Sequence, residues 1–77
     1  MIDISRLCVI DFETTGFKQN APVSLAMAFY ENGKRTFAKY YLINPEARIE
    51  AGAYKVHGIS QEEVSNKPAF PAIWKEI

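Results

Sequence analysis

Cysteine is almost missing from this sequence: Cys8 stands alone, so no disulfide can close within the chain. It lies in an apolar run, which predicts a buried, unreactive thiol in a reducing compartment. Net charge is missing as well, nine Lys and Arg against nine Asp and Glu. There is no strongly basic balance to grip polyanions, although a protein can also meet them through metal ions. No apolar run approaches the roughly 20 residues of a membrane span, and no signal-peptide pattern opens the chain. A cytoplasmic protein is expected. Repeats and low-complexity tracts are absent, and with 77 residues there is room for one domain at most. A chain so short buries only about 60% of the surface its unfolded form exposes, so its stability is marginal.

What is present divides near residue 43. Residues 6–12 read as a buried strand, because Leu7, Cys8, Val9 and Ile10 follow one another without a polar break. Gly16 ends it, and Lys18, Gln19, Asn20 and Pro22 mark a polar connection. Residues 23–30 are apolar but ambiguous between strand and helix on propensity. Asn32-Gly33 decides the matter, since a two-residue hairpin turn needs φ > 0 at both positions. With the aromatic-rich residues 36–43 the prediction is an antiparallel hairpin whose sheet also takes the first strand. Asn44-Pro45 then breaks the sheet. A short helix over 51–56 closes at Gly58, and Ser60 with Glu63 forms a capping box for another. Pro71 suits the first turn of a last helix, on which Phe70, Ile73, Trp74 and Ile77 make one apolar stripe. That stripe is still running at Ile77, with no cap beyond it. The expectation is an amino-terminal portion of one domain, 1–43 sheet and 44–77 helical, truncated at its carboxyl end.

The chemistry sits in Val9-Ile10-Asp11-Phe12-Glu13-Thr14-Thr15-Gly16. Side chains alternate along a strand, so Asp11 and Glu13 emerge on one face. Paired carboxylates at the end of a buried strand repel unless a cation neutralises them, and their hard oxygens suit Mg²⁺ or Mn²⁺ better than zinc. Thr14, Thr15 and Gly16 offer hydroxyls and backbone amides beside that pair. Alone, Asp-x-Glu is more readily a solvated, idle pair flanking a turn. His57 is open to two readings, contact with a bound substrate or capping of the preceding helix through its last carbonyls. Lys34 and Arg35 read as solvated, and Trp74 with Phe70 as core. Of Tyr40 and Tyr41, at most one can face any ligand.

The full run Asp-Phe-Glu-Thr-Thr-Gly after an apolar strand resembles the first motif of the DEDD (DnaQ-like) 3′→5′ exonuclease superfamily. Tyr41-Leu42-Ile43-Asn44-Pro45, Ile49, Val56-His57-Gly58-Ile59-Ser60 with Glu63-Val64, and Pro68-Ala69-Phe70 before a Trp-bearing helix resemble the same family in the same order. The DNA polymerase III proofreading branch (epsilon or PolC type) is the nearest in pattern. The resemblance implies an α/β fold, a partial ribonuclease-H-like exonuclease domain of three antiparallel strands followed by short helices. It implies a catalytic, metal-binding pair in Asp11 and Glu13, the first two of four acidic ligands. Thr14, Thr15, Gly16 and His57 are the implied substrate contacts. The implied reaction is removal of mononucleotides by two-metal-ion phosphodiester hydrolysis with Mg²⁺ or Mn²⁺. The implied partners are the 3′ end of a nucleic acid, in the first instance single-stranded DNA, and a DNA polymerase.

The sequence departs from the family pattern in three respects. The Asn-x-x-Phe-Asp-type and His-x-x-x-x-Asp motifs that bring the other two ligands do not occur. His57 is not the family's general base, since its fifth following residue is Glu62. Ser24 stands where many relatives carry a glutamate. Glu46, Glu50, Glu62 and Glu63 have no forced geometry toward Asp11. The 77 residues alone are therefore expected to be inactive, and either to self-associate through uncovered apolar surface or to fold poorly. The alternative from another class is a non-catalytic remnant or interaction module.

Overall fold

The computed structural model describes residues 5–77. Its elements run β1 (Arg6–Thr14), β2 (Pro22–Glu31), β3 (Lys34–Leu42), α1 (Ala51–His57), α2 (Gln61–Val64) and α3 (Phe70–Glu76). The three strands form one antiparallel sheet in the order β1-β2-β3. Asn32 and Gly33 close the β2–β3 hairpin with φ of 52° and 80°, as the turn reading requires. A bulge follows. Tyr30 pairs with Arg35 but Phe29 with Phe37, so Thr36 is the extra residue, and its hydroxyl donates to the Phe29 carbonyl at 3.3 Å. The helices obey the sequence signals. Gly58 is left-handed (φ 71°) and its N–H bonds the Tyr54 carbonyl, Ser60 and Glu63 form the reciprocal capping box, and Pro71 lies in the first turn of α3.

Register assigns the faces. Val9, Asp11 and Glu13 share one face with Ala28, Ala26 and Ser24, and across β3 with Ala38, Tyr40 and Leu42. The opposite face carries Leu25 and Met27, which pack with Ile43 and with Ile73 of α3, flanked by Phe29, Tyr41 and Phe70. A second apolar cluster, Val23, Ile49, Ile59 and Val64, draws α1 and α2 to the end of the sheet where β1 finishes. Asn44 fastens this end: its N–H and Nδ2 donate to the carbonyls of Pro68 and Ser65, and its Oδ1 accepts the Glu46 N–H.

Three expectations about burial are corrected. Leu7, Val9 and Ile10 are exposed, and Cys8 is exposed rather than core. The reason is topological: among the described residues β1 is an edge strand with a neighbour on one side only, and α3 reaches the sheet at Phe12 rather than at the Cys8 end. The radius of gyration, 14.5 Å against about 11 Å for a compact chain of this size, reflects that overhang. Trp74 is not core either, at 59% exposed. Only Ile73 of the helical stripe is buried and Phe70 half-buried, while Trp74 lies against the Phe70 ring with centroids 5.8 Å apart.

Candidate active site

Asp11 and Glu13 are placed on one face by the β1–β2 register, opposite Ala26 and Ser24. The register shift falls between Glu13 and Thr14, just after the pair, so alternation holds through both acids and is broken only beyond them. Asp11 is exposed and Glu13 half-buried. Beside Asp11 the face is a shallow trough of about 350 Å³, lined by Val9, Ala26, Ala28, Ala38 and Tyr40 among others. Their donor chemistry, carboxylate oxygen on an open face, fits a hard divalent cation with most of its shell left to other ligands. Among the described residues no group of three His, Cys, Asp or Glu gathers at one point. Asp11 and Glu13 therefore stand as a pair, with no third such group beside them among the described residues.

The turn after the pair is held from within, so the hydroxyl and amide that Thr15 was expected to offer are already engaged. Thr15 is fully buried; its N–H donates to the Ala21 carbonyl and its hydroxyl accepts the Ala21 N–H, at 2.9 and 3.1 Å. It closes the loop from inside and turns no hydroxyl outward. The Gly16 N–H donates to Thr14 Oγ1 at a long 3.3 Å. Thr14 and Gly16, both half-buried, are what this turn can present to a ligand.

Glu50 is the residue that sequence reasoning missed. It occupies the N-cap of α1 without capping it, and its Oε2 accepts the Lys18 N–H at 3.0 Å. Its backbone N–H donates to the Thr15 carbonyl at 2.8 Å. The carboxylate lies against Gly16 (φ 122°): a Cβ there would fall 2.5 Å from Glu50 Cδ. The available signal was Gly16 itself, since a glycine closing a strand often marks close approach of another group. His57, the last residue of α1, reaches the same segment. Its Nε2 lies 3.0 Å from the Thr14 carbonyl, and Nδ1 accepts the Ile59 N–H at 2.9 Å. It does not bond the carbonyls of its own helix. Both ring nitrogens are thus engaged within the chain.

A three-stranded antiparallel sheet followed by short helices is an arrangement of the ribonuclease-H-like exonuclease fold. The chain belongs to the RNase_T exonuclease family, whose model matches residues 8–77. It is 34% identical to DNA polymerase III subunit epsilon of Buchnera aphidicola subsp. Schizaphis graminum, over 100% of this chain and 36% of that protein. To the 3′-5′ exonuclease DinG of Bacillus subtilis it is 39% identical, over 94% of this chain and 8% of the relative. The chain thus spans about a third or less of the relatives it matches. Among solved structures it is similar to exonuclease X in complex with 5′ overhanging duplex DNA, with a TM-score of 0.84 and 28% identity, covering 90% of this chain and 41% of that one. Cell-death related nuclease 4 shares the fold at a TM-score of 0.82 and 19% identity, over 94% of this chain and 28% of its own. Among the described residues, no helix is long and apolar enough to cross a membrane.

Proposed function

We propose that this chain supplies the first half of the active site of a 3′→5′ exonuclease of the DNA-proofreading type, acting on the 3′ end of a single strand in the cytoplasm beside a polymerase. The observation that carries the reading is the shared face of Asp11 and Glu13 at the end of β1, followed by a turn braced at both ends of α1. Asp11 and Glu13 hold divalent metal, Mg²⁺ or Mn²⁺. Two such ions, bound in the complete domain, would supply a lowered pKa for water and positive charge to offset that developing on the phosphodiester. Thr14 and Gly16 meet the terminal nucleotide, and Thr15 keeps their loop closed. Similarity to the epsilon subunit supports the proofreading setting.

Two carboxylates are half of the ligand set that the family pattern calls for, so the 77 residues do not turn over by themselves. With Mg²⁺ and a 3′-labelled single strand, this chain is expected to release no nucleotide above background, while a longer chain carrying the two further acidic motifs cleaves. Asp11→Ala is expected to abolish that cleavage. Release of nucleotide by the short chain that vanishes in Asp11→Ala would overturn the half-site reading. A second reading, an interaction module, is favoured by the uncovered Leu7, Val9 and Ile10 on edge strand β1. Its signature is a longer chain that carries the two further acidic motifs and still releases no nucleotide.

A further inference from the structure

His57 makes a bond pattern that admits one neutral tautomer. The Ile59 amide is a donor and has to meet a lone pair on Nδ1. A neutral imidazole with its lone pair on Nδ1 carries its proton on Nε2. That proton points at the Thr14 carbonyl, 3.0 Å away and 43 residues back in the chain. Ile59 is itself fixed, being buried in the cluster of Val23, Ile49 and Val64. The ring is thus clamped between a core-anchored amide and the last residue of β1.

The other end of α1 grips the next residues. The Glu50 N–H takes the Thr15 carbonyl, and the Glu50 carboxylate takes the Lys18 N–H while lying against Gly16. Consecutive carbonyls, of Thr14 and Thr15, are therefore held by the last residue of one short helix and by its N-cap. This happens where the sheet ladder can no longer hold the chain: the register breaks after Glu13, and the partner of Thr14 is Pro22, which has no N–H to give. We infer that His57 is a positioning residue: by holding the Thr14 carbonyl through Nε2–H, it fixes the strand end that carries Glu13 and so the direction of the Asp11–Glu13 pair. The inference rests on the proposed metal role of that pair. His57 acts through Thr14, and Glu50 is its counterpart one residue further on.

Because His57 is the sole histidine, nitrogen NMR of its ring reads the tautomer without assignment ambiguity. The measurement is made on the 77-residue chain well above the ordinary imidazole range. A pyridine-like Nδ1 and a protonated Nε2 are expected; the reverse, or an averaged pair, overturns the inference. Mn²⁺ is then titrated against the amide signals. In the unmodified chain, broadening is expected to centre on residues 11–14. In His57→Ala the same signals should broaden with at least threefold weaker affinity, judged on the folded fraction alone. His57→Gln, which keeps a donor but loses the paired bonding, should fall between the two and stands in where the alanine variant fails to fold. Affinity unchanged in the folded variant overturns the positioning role alone. No broadening near Asp11 or Glu13 in the unmodified chain overturns the metal reading and the positioning role together.

Discussion

Replacing Gly16 by alanine should cost more than replacing Gly33, and the excess should depend on Glu50. Both glycines have positive φ, 122° and 80°, so both substitutions strain the backbone, by about 1–3 kcal/mol, with Gly16 the further from the left-handed helical region. A Cβ at Gly33 meets nothing within 4 Å, so that strain is the whole cost. A Cβ at Gly16 falls 2.5 Å from both Glu50 Cδ and Oε2. The Glu50 side chain is flexible and can swing aside, but it then leaves the Lys18 N–H, a loss of about 0.5–1.5 kcal/mol. Glu50→Ala forfeits the same bond. The double variant should therefore cost less than the sum of the singles by about 0.5–1.5 kcal/mol, above the roughly 0.3–0.5 kcal/mol within which independent sites add. Thermal melts followed by circular dichroism at one fixed protein concentration suffice, since about 1 kcal/mol moves the midpoint of a domain this size by about 4–8 °C. Additive effects, or Gly16→Ala no worse than Gly33→Ala, would refute the contact between the loop and α1.

Removing the capping box with Ser60→Ala should lower stability by about 1 kcal/mol, read in the same melts, and Ser60→Gly by less. Cys8 should react with a disulfide reagent as fast as a free thiol in dilute protein, slowing at high concentration where β1 edges pair; protection in dilute monomer would return it to the core. The Lys39 ammonium lies over the Tyr41 ring at 5.3 Å, and its pKa is raised by the hydrogen bond to Tyr41 and by the charge of that group, with Glu76 adding to both. A raised folded-state pKa means a contribution present below the ordinary lysine value of 10.5 and lost as pH climbs through the folded one. The stability difference between wild type and Lys39→Met should accordingly be constant from about pH 7 to about pH 9; a change within that window would refute the assignment.

Local signals were legible where local chemistry decides. The Asn32-Gly33 turn, the Gly58 cap and the Ser60–Glu63 box each depend on a few adjacent residues, and each formed as read. The placement of Asp11 and Glu13 on one face followed from the two-residue period of a strand. Burial was less legible, because an apolar run such as Leu7–Ile10 records what a strand is suited to touch and not what covers it among these residues. Glu50 and the bonding of His57 were illegible for another reason. Both reach the 14–18 segment from more than thirty positions away, and sequence spacing carries no information about contacts of that range.

The bulge after Glu13 divides the chain into stretches with different tolerance for changes of length. Between Val9 and Glu13 every residue is paired in strict alternation, so inserting or deleting one residue there would send one acid through the sheet to the opposite face. Beyond the bulge alternation has already lapsed, and the loop returns to the sheet through the two bonds of Thr15 to Ala21. Between those two anchors, at residues 17–20, the chain is exposed. A loop closed at its base accommodates added residues at an entropic cost that grows only with the logarithm of its length. Variation in loop length among proteins built on this plan should therefore fall at 17–20, while the spacing of the two acids stays invariant.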